Sequence, residues 1–399
     1  MNYIDPWTER RSGQTTTRGK GDHRTPFERD HTRVIHSAAF RRLQRKTQIL
    51  GCHEGDFHRT RLTHSLEVAS IGRSITRNLS LRPNNQVIAF LLPADDLISA
   101  ICLLHDIGHP PFGHAGEAAL NYKMQDAGGF EGNAQTIHLL TQLEENYGNH
   151  GLDLTRRTLL GLLKYPIPLQ PHINVSATVK AGTYYAPPKG YYACNQANID
   201  WILSPLSVSD RELLQNPSHS IIYHSFDCSI MDIADDIAYG VHDLEDAIHL
   251  NYIQRDHLDT IEFAQLLKQT TLCKPNVLLD NLFSAIVHIR KQAIGELVHY
   301  FIQHTQWHIA HERFNNECLL YNIILQREAA GLLNYFKSIV SLNMIYSEHN
   351  QRIQKHGQLM LNSLFDQHIT ATQHDKRSTC DYLANLTDDG AIQLYNNCP

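Results

Sequence analysis

The sequence predicts an all-α protein. Apolar residues recur at helical spacing from Phe27 to about Leu163, and one long apolar stripe runs from Phe226 to Ile248. The remainder, to about Leu386, has the same helical pattern, and no repeat or low-complexity tract interrupts it.

In chain order, residues 1–26 are polar, with a run of Thr, Gly and charge. They read as an N-terminal arm, ordered only when something binds it. In the next stretch Leu62, Leu66, Ala69, Ile75 and Leu79 fall on one predicted helix face. A second helix runs through Leu97, Ile101 and Leu104 and stops at Gly108 and the Pro110-Pro111 pair, which cannot continue a helix. The segment 165–190 carries Pro166, Pro168, Pro171, Pro187 and Pro188 among Gly and Tyr, and predicts a long loop or short hairpin with the character of a lid. Helical patterning resumes near Ile199. The expected organisation is therefore an arm (1–26), a catalytic region (27–250) containing the Pro-rich loop, and a further helical region (251–399) suited to assembly.

Composition is that of an ordinary globular chain: 42% hydrophobic and 19% charged residues in 399. A formal charge of -6 gives no global reason to expect nucleic-acid binding. Eight cysteines without a CxxC pair predict reduced thiols, neither a disulfide framework nor a zinc knuckle. The start of the chain lacks the apolar stretch of a secretory signal, and Pro93, Asp95 and Asp96 break the most apolar run, Val87 to Leu104. A cytoplasmic protein with no membrane partner is expected. Histidine is the outlier, with 26 copies, and directs attention to metal ligands.

Three segments hold candidate chemistry: RLTHSLEVA around His64, LLHDIGHPPFGHAGE from Leu103 to Glu117, and IMDIADDIAYGVHDLEDA from Ile230 to Ala247. Each has a plain alternative. A single His on an amphipathic helix is usually structural, and His105-Asp106 could simply cap a helix end. In the third segment Phe226, Ile230, Ile233, Ile237, Val241, Leu244 and Ile248 form the apolar stripe. Asp232, Asp235, Tyr239, Asp243 and Asp246 lie opposite, as on any solvated acidic face, but a tyrosine among them suits a wet cleft better than open water.

Taken together the segments are decisive. His64, the His105-Asp106 doublet and a later helical Asp reproduce the H…HD…D pattern, and the chain resembles the deoxyguanosine triphosphate triphosphohydrolases of the HD phosphohydrolase superfamily. FRRLQRKTQ, RLTHSLEV, HDIGHPPFGHAGE, FEGNAQ and ADDIAYGVHDLEDA carry the resemblance, which spans roughly Arg24 to Leu250. It implies an HD-type helical fold with additional C-terminal helices, and hydrolysis of dNTPs to deoxynucleoside and inorganic triphosphate. It implies one divalent ion (Mn²⁺, Mg²⁺, Fe²⁺ or similar) on His64, His105, Asp106 and Asp235. Two imidazoles and two carboxylates leave positions open for water and a phosphate oxygen. Between Asp235 and Asp236, the family pattern of an aliphatic two residues on favours Asp235.

By the same resemblance His114 is the catalytic histidine and Glu117 the carboxylate that orients it, a contact that three-residue spacing on a helix allows. Gln48 and Arg61 match sugar- and nucleotide-contacting positions, Tyr239 and Asp243 residues under the deoxyribose, and Asn133, Lys164, Tyr165 and Lys189 phosphate contacts. His109 is as readily structural as functional. Arg41, Arg42, Arg45 and Lys46 read as a helix wall of the site, and His304, His308 and His311 as unrelated to metal.

The competing readings are another HD phosphohydrolase, a 5′-nucleotidase or cyclic-nucleotide phosphodiesterase, or a nucleotide-sensing or nucleic-acid-binding member with low turnover. The HHExxDGxGYP block of the cyclic-di-nucleotide branch is absent. A homo-oligomer is expected by analogy, and single-stranded nucleic acid and an allosteric nucleotide stay open as further partners.

Overall fold

A computed structural model describes residues 5–13, 21–48, 59–170, 187–216, 222–372 and 375–397. Residues 1–4 and 14–20 of the expected arm, and 171–186 at the centre of the Pro-rich segment, lie outside the described residues.

The architecture is helical: α1 (Pro26–His36), α2 (Ala38–Arg42), α3 (Arg61–Ser80), α4 (Asp95–Leu104), α5 (Gly113–Lys123), α6 (Gly132–His138), α7 (Arg156–Leu162), α8 (Gln196–Leu203), α9 (Val208–Gln215), α10 (Phe226–Ile237) and α11 (Asp243–His249). They are followed by α12 (Arg255–Leu258), α13 (Ile261–Lys268), α14 (Pro275–Leu282), α15 (Val287–Gln303), α16 (Glu317–Leu320), α17 (Arg327–Val340), α18 (Glu348–Thr372), α19 (Lys376–Ala384) and α20 (Asp388–Asn397).

Local chemistry sets several boundaries. Thr25 and Glu28 cap each other's backbone N–H groups ahead of Pro26 and start α1, and Thr60 and Thr63 do the same for α3. Ser225 accepts from the Cys228 N–H and starts α10. α10 and α11 are one helix interrupted by a π-turn, Ala238–His242, and a second π-turn, Ser341–Ile345, follows α17.

Two expectations are corrected. The buried face of α3 is Val68, Ile71, Ile75 and Leu79, whereas Leu66 is exposed, since α3 turns that side away from α4 and α10. The region after Gln303 is not wholly helical: β1 (Thr305–Ile309) pairs antiparallel with β2 (Tyr321–Leu325), placing Thr305 opposite Leu325. β-Branched and aromatic residues enrich both strands, which suits an extended backbone. His304, His308 and His311 therefore lose their helical spacing, because His308 sits within β1.

The described part of the arm is ordered by the chain itself. Arg10 is buried, forms an ion pair with Asp30 at 2.6 Å and a bridge with Thr155, while Trp7 joins the main core.

The main core is built on α3, α4 and α10, where α3 comes so close to α4 that a Cβ on Gly72 would lie 2.8 Å from Cys102 Sγ. A second apolar cluster is separate. It joins Leu120 of α5, Ala134 of α6, and Leu361, Phe365 and Leu383 from α18 and α19. Helices from the end of the chain thus fold back over α5, and a cavity lies between the clusters.

Candidate metal centre and active-site cavity

The cavity has a volume of about 700 Å³. On its main-core side His64, in the first turn of α3, meets His105 at the end of α4 and Asp235 of α10. One ligand atom from each of the three lies within 4.8 Å of the others. His64 Nε2 is 2.9 Å from Asp235 Oδ1, and His105 Nε2 is 3.5 Å from the same oxygen.

The orientation of His105 is fixed from behind: Nδ1 donates to the Cys102 carbonyl at 2.7 Å, which leaves the Nε2 lone pair toward the cluster. That Nε2 is buried without a hydrogen-bond partner among the described residues. A buried acceptor aimed at two imidazole-and-carboxylate neighbours fits a divalent cation. Burial opposes charge on His105, but Asp106 and Asp235 outweigh it and hold the imidazole up to about 9, so a proton occupies Nε2 until a cation would replace it. The same histidines keep Asp235 well below the usual carboxylate range against its own burial.

Asp106 is adjacent but differently occupied. Its Oδ2 accepts from Arg61 at 2.6 Å, while Oδ1 lies 3.1 Å from His109 Nδ1 and 3.6 Å from His105 Nε2. Burial would raise the Asp106 carboxyl, and the surrounding His109, His105 and Arg61 instead push it far down. Asp236, the neighbouring candidate, pairs with Lys337 at 2.5 Å.

His114 stands across from this cluster on α5, its side chain 60% exposed and its Nδ1 3.1 Å from Glu117 Oε2. Glu117 is buried, and its Oε1 accepts from the Gly132 N–H at 2.8 Å. Burial favours a neutral Glu117, but the His114 contact and Lys189 hold it down at about 2. The turn that delivers His114 is unusual, since Phe112 is left-handed at φ 62° and Gly113 follows at φ 56°.

All the sequence-predicted site residues line the cavity except Glu117, which sits behind His114, and Asp243. Lys164 is paired with Asp232, and Lys189 donates to Glu131 Oε1 at 2.7 Å. Tyr165 lies between the two lysines, its ring centroid 6.0 Å from one ammonium and 5.7 Å from the other. Asn133 Nδ2 donates to Glu131 Oε1 at 2.9 Å, and Gln48 presents a buried Oε1 with no hydrogen-bond partner among the described residues. The Tyr239 hydroxyl is 3.0 Å from Ser341 Oγ, so the two π-turns meet at the cavity wall.

Asp243 is buried beneath, and burial raises its carboxyl to about 7 although His64 and Arg59 oppose this. Asp243 is not among the cavity-lining residues, and the charged groups that act on it are His64, Asp246, Arg59 and Glu67.

Sequence reasoning missed the cavity's other wall. Asn350, Gln354, Gly357 and Met360 of α18, with Asp388, Ile392 and Tyr395 of α20, line it. Asp388 Oδ2 accepts from the Thr47 N–H at 3.0 Å, and Oδ1 accepts from the Phe112 N–H at 3.0 Å. Lys46, buried, donates to the carbonyls of His109 at 2.5 Å and Ala384 at 2.9 Å; burial and Arg42 bring its ammonium down to about 7. The one available sign was the cluster of Arg41, Arg42, Arg45 and Lys46, read as a helix wall of the site, of which Lys46 is buried against His109 and Ala384.

Residues 61–157 match the HD domain family. The chain is 41% identical to the deoxyguanosinetriphosphate triphosphohydrolase-like protein 1 of Vibrio cholerae, over an alignment covering 98% of this chain and 96% of that protein. It is 39% identical to a deoxyguanosinetriphosphate triphosphohydrolase-like protein of Pasteurella multocida, over 99% of both. A third, from Haemophilus influenzae, is 40% identical over 94% of this chain and 92% of its own length.

Proposed function

The chain belongs to the deoxyguanosinetriphosphate triphosphohydrolase-like family of HD-domain hydrolases, and on that premise we propose that it hydrolyses deoxynucleoside triphosphates to deoxynucleoside and inorganic triphosphate. The observation that carries the proposal is the placement of a His64–His105–Asp235 cluster and the Glu117-held His114 in one cavity with Lys164 and Lys189.

In this reading His64, His105, Asp106 and Asp235 hold one divalent ion, which supplies Lewis-acid charge at the α-phosphate when bound. Arg61, Asn133, Lys164 and Lys189 receive the rest of the triphosphate, whose roughly four negative charges need more than one cation. Lys164 and Lys189 are each held in place by a carboxylate, with charge already favoured: burial opposes it, and Asp232 and Glu131 respectively outweigh that opposition. His114 moves the proton. Its Nδ1 is tied to Glu117, and Nε2, the other ring nitrogen, is the atom that would protonate the departing 5′ oxygen or take a proton from water. Tyr239 forms the wall beside the sugar, and the unpartnered Gln48 Oε1 accepts from the 3′-OH.

The test is direct: purified protein with Mn²⁺ or Mg²⁺ and each of the four dNTPs, with products separated by anion exchange. Inorganic triphosphate is the expected product. Pyrophosphate or orthophosphate in its place, or no turnover of any dNTP, overturns the proposal.

A further inference from the structure

Glu131 is buried and does not line the cavity, yet two of the proposed phosphate contacts end on it. It is the N-cap of α6: Oε2 accepts from the Ala134 N–H at 2.8 Å and starts the helix. Oε1 accepts twice, from Lys189 Nζ at 2.7 Å and from Asn133 Nδ2 at 2.9 Å. Asn133 belongs to α6 itself, whereas Lys189 lies on the chain that leaves the Pro-rich segment.

Both donors line the cavity and keep N–H groups to spare. An ammonium carries three N–H groups and a primary amide two, so a bond to Oε1 leaves each able to donate to a phosphate oxygen. Glu117 Oε1 is 3.9 Å from Lys189 Nζ, too far to claim a further N–H as a hydrogen bond. The backbone after Lys189 is fixed as well. Tyr191 donates its N–H to the Ile167 carbonyl, and the Leu169 N–H donates to the Tyr191 carbonyl, each at 2.8 Å. Buried Tyr192 accepts from the Glu131 N–H at 3.3 Å through its hydroxyl. A lysine held near its backbone and at its tip has less rotamer freedom left to lose on binding.

We propose that Glu131 is a positioning residue of the triphosphate subsite, a single carboxylate oxygen that sets Lys189 and Asn133 together for one phosphate chain. The inference rests on the hydrolysis reading for the roles of its two partners. It predicts a sign opposite to plain Coulomb attraction. An anion beside a phosphate-binding lysine repels a triphosphate, so removing a carboxylate that acted only as charge would tighten binding. Removing one that orients two donors loosens it.

Two replacements separate charge from geometry. In Glu131→Gln neither orientation of the amide works, because its NH₂ must face either the Ala134 N–H or the two side-chain donors. Glu131→Asp keeps the charge and is itself a favoured N-cap, but its carboxylate is a methylene short of Lys189 and Asn133.

The test is calorimetric binding of inorganic triphosphate, and separately of the four deoxynucleosides, to the metal-loaded wild type and both variants. Triphosphate affinity should fall about tenfold in each variant, the worth of a charge-assisted hydrogen bond. Affinity for the deoxynucleoside that wild type binds best should not change. In a Lys189→Ala background Glu131→Asp should matter less than it does in wild type, since the two side chains act as a pair. If Glu131→Gln does not fold, Glu131→Asp decides. Triphosphate binding in Glu131→Asp as tight as in wild type or tighter, an equal loss of deoxynucleoside affinity, or a wild type that does not bind triphosphate overturns the proposal. No turnover is measured. A wild type that hydrolyses no dNTP, but whose variants lose triphosphate affinity selectively, would therefore support this inference while sinking the hydrolysis reading.

Discussion

Asp388 accepts a hydrogen bond at 3.0 Å from the backbone N–H of Phe112, a residue held at φ 62° immediately before the helix that carries His114. A left-handed phenylalanine persists only where its surroundings impose it. Here Asp388 holds the N–H, and the Phe112 ring packs so closely on α18 that a Cβ at Gly357 would lie 2.7 Å from its Cγ. Asp388→Ala should therefore cost about 1–3 kcal/mol of stability by stranding the N–H groups of Thr47 and Phe112. It should also lower kcat while leaving bound metal unchanged. Urea midpoints and elemental analysis of the variant check both parts, and a wild-type midpoint would show that Asp388 holds nothing.

Metal retention tests the proposed ligands. Asp235→Ala removes the carboxylate that both His64 and His105 approach, and Asp106→Ala removes the one shared with Arg61. Each variant should purify without stoichiometric metal and without turnover. Full occupancy in either would remove that residue from the ligand set.

His114→Ala should keep the fold and the metal, since the side chain is largely exposed and outside the ligand cluster. Its activity should fall by about 10²–10⁴, the usual contribution of a general acid or base. Glu117→Gln keeps the shape but loses the charge that orients the imidazole, and a smaller loss is expected. Rate constants at saturating substrate decide, and an unchanged value for His114→Ala excludes it from proton transfer.

The sugar-reading proposal is tested by comparing each dNTP with its ribonucleotide. Tyr239 is held against Ser341 at 3.0 Å, so its ring is a fixed wall. Replacing it with Ala should narrow the preference for the deoxy substrate, and Gln48→Ala should weaken discrimination against a missing 3′-OH by about 1–3 kcal/mol. If wild type uses GTP as well as dGTP and the Tyr239→Ala ratio is the same, the wall is elsewhere.

His138 predicts a pH dependence of stability. Its imidazole is raised to about 9 in the folded chain against an ordinary value of 6.5. A raised histidine stabilises the fold fully below pH 6.5, and that contribution, up to about 3 kcal/mol, disappears as pH rises through 9. The stability gap between wild type and His138→Gln should therefore shrink from pH 6 to pH 9.5. Denaturant titrations at the two pH values measure it, and a constant gap would contradict a charged His138.

The helical class was readable because 3.6-residue periodicity is local, and the HD motif residues were readable because their types and spacings are unusual. Asp388 and α18 were not readable. Their amphipathic pattern is that of any surface helix, and nothing local says that this one closes over α5. Asp243 shows the limit of spacing in another way: it shares the predicted face of Tyr239, yet it is buried and is not among the cavity-lining residues. β1 and β2 escaped because five-residue strands are too short to separate by period from flanking helices.

The π-turn at Ala238–His242 has a consequence for how this helix tolerates change. A π-turn absorbs one surplus residue while leaving the helix on either side in register. Loss of a single residue there would let α10 and α11 fuse into an unbroken helix with the flanking turns in register. Tyr239, seated inside the turn, would be the casualty. The length of this short segment can thus vary the proposed sugar wall without disturbing Asp235, the proposed metal ligand one turn before it.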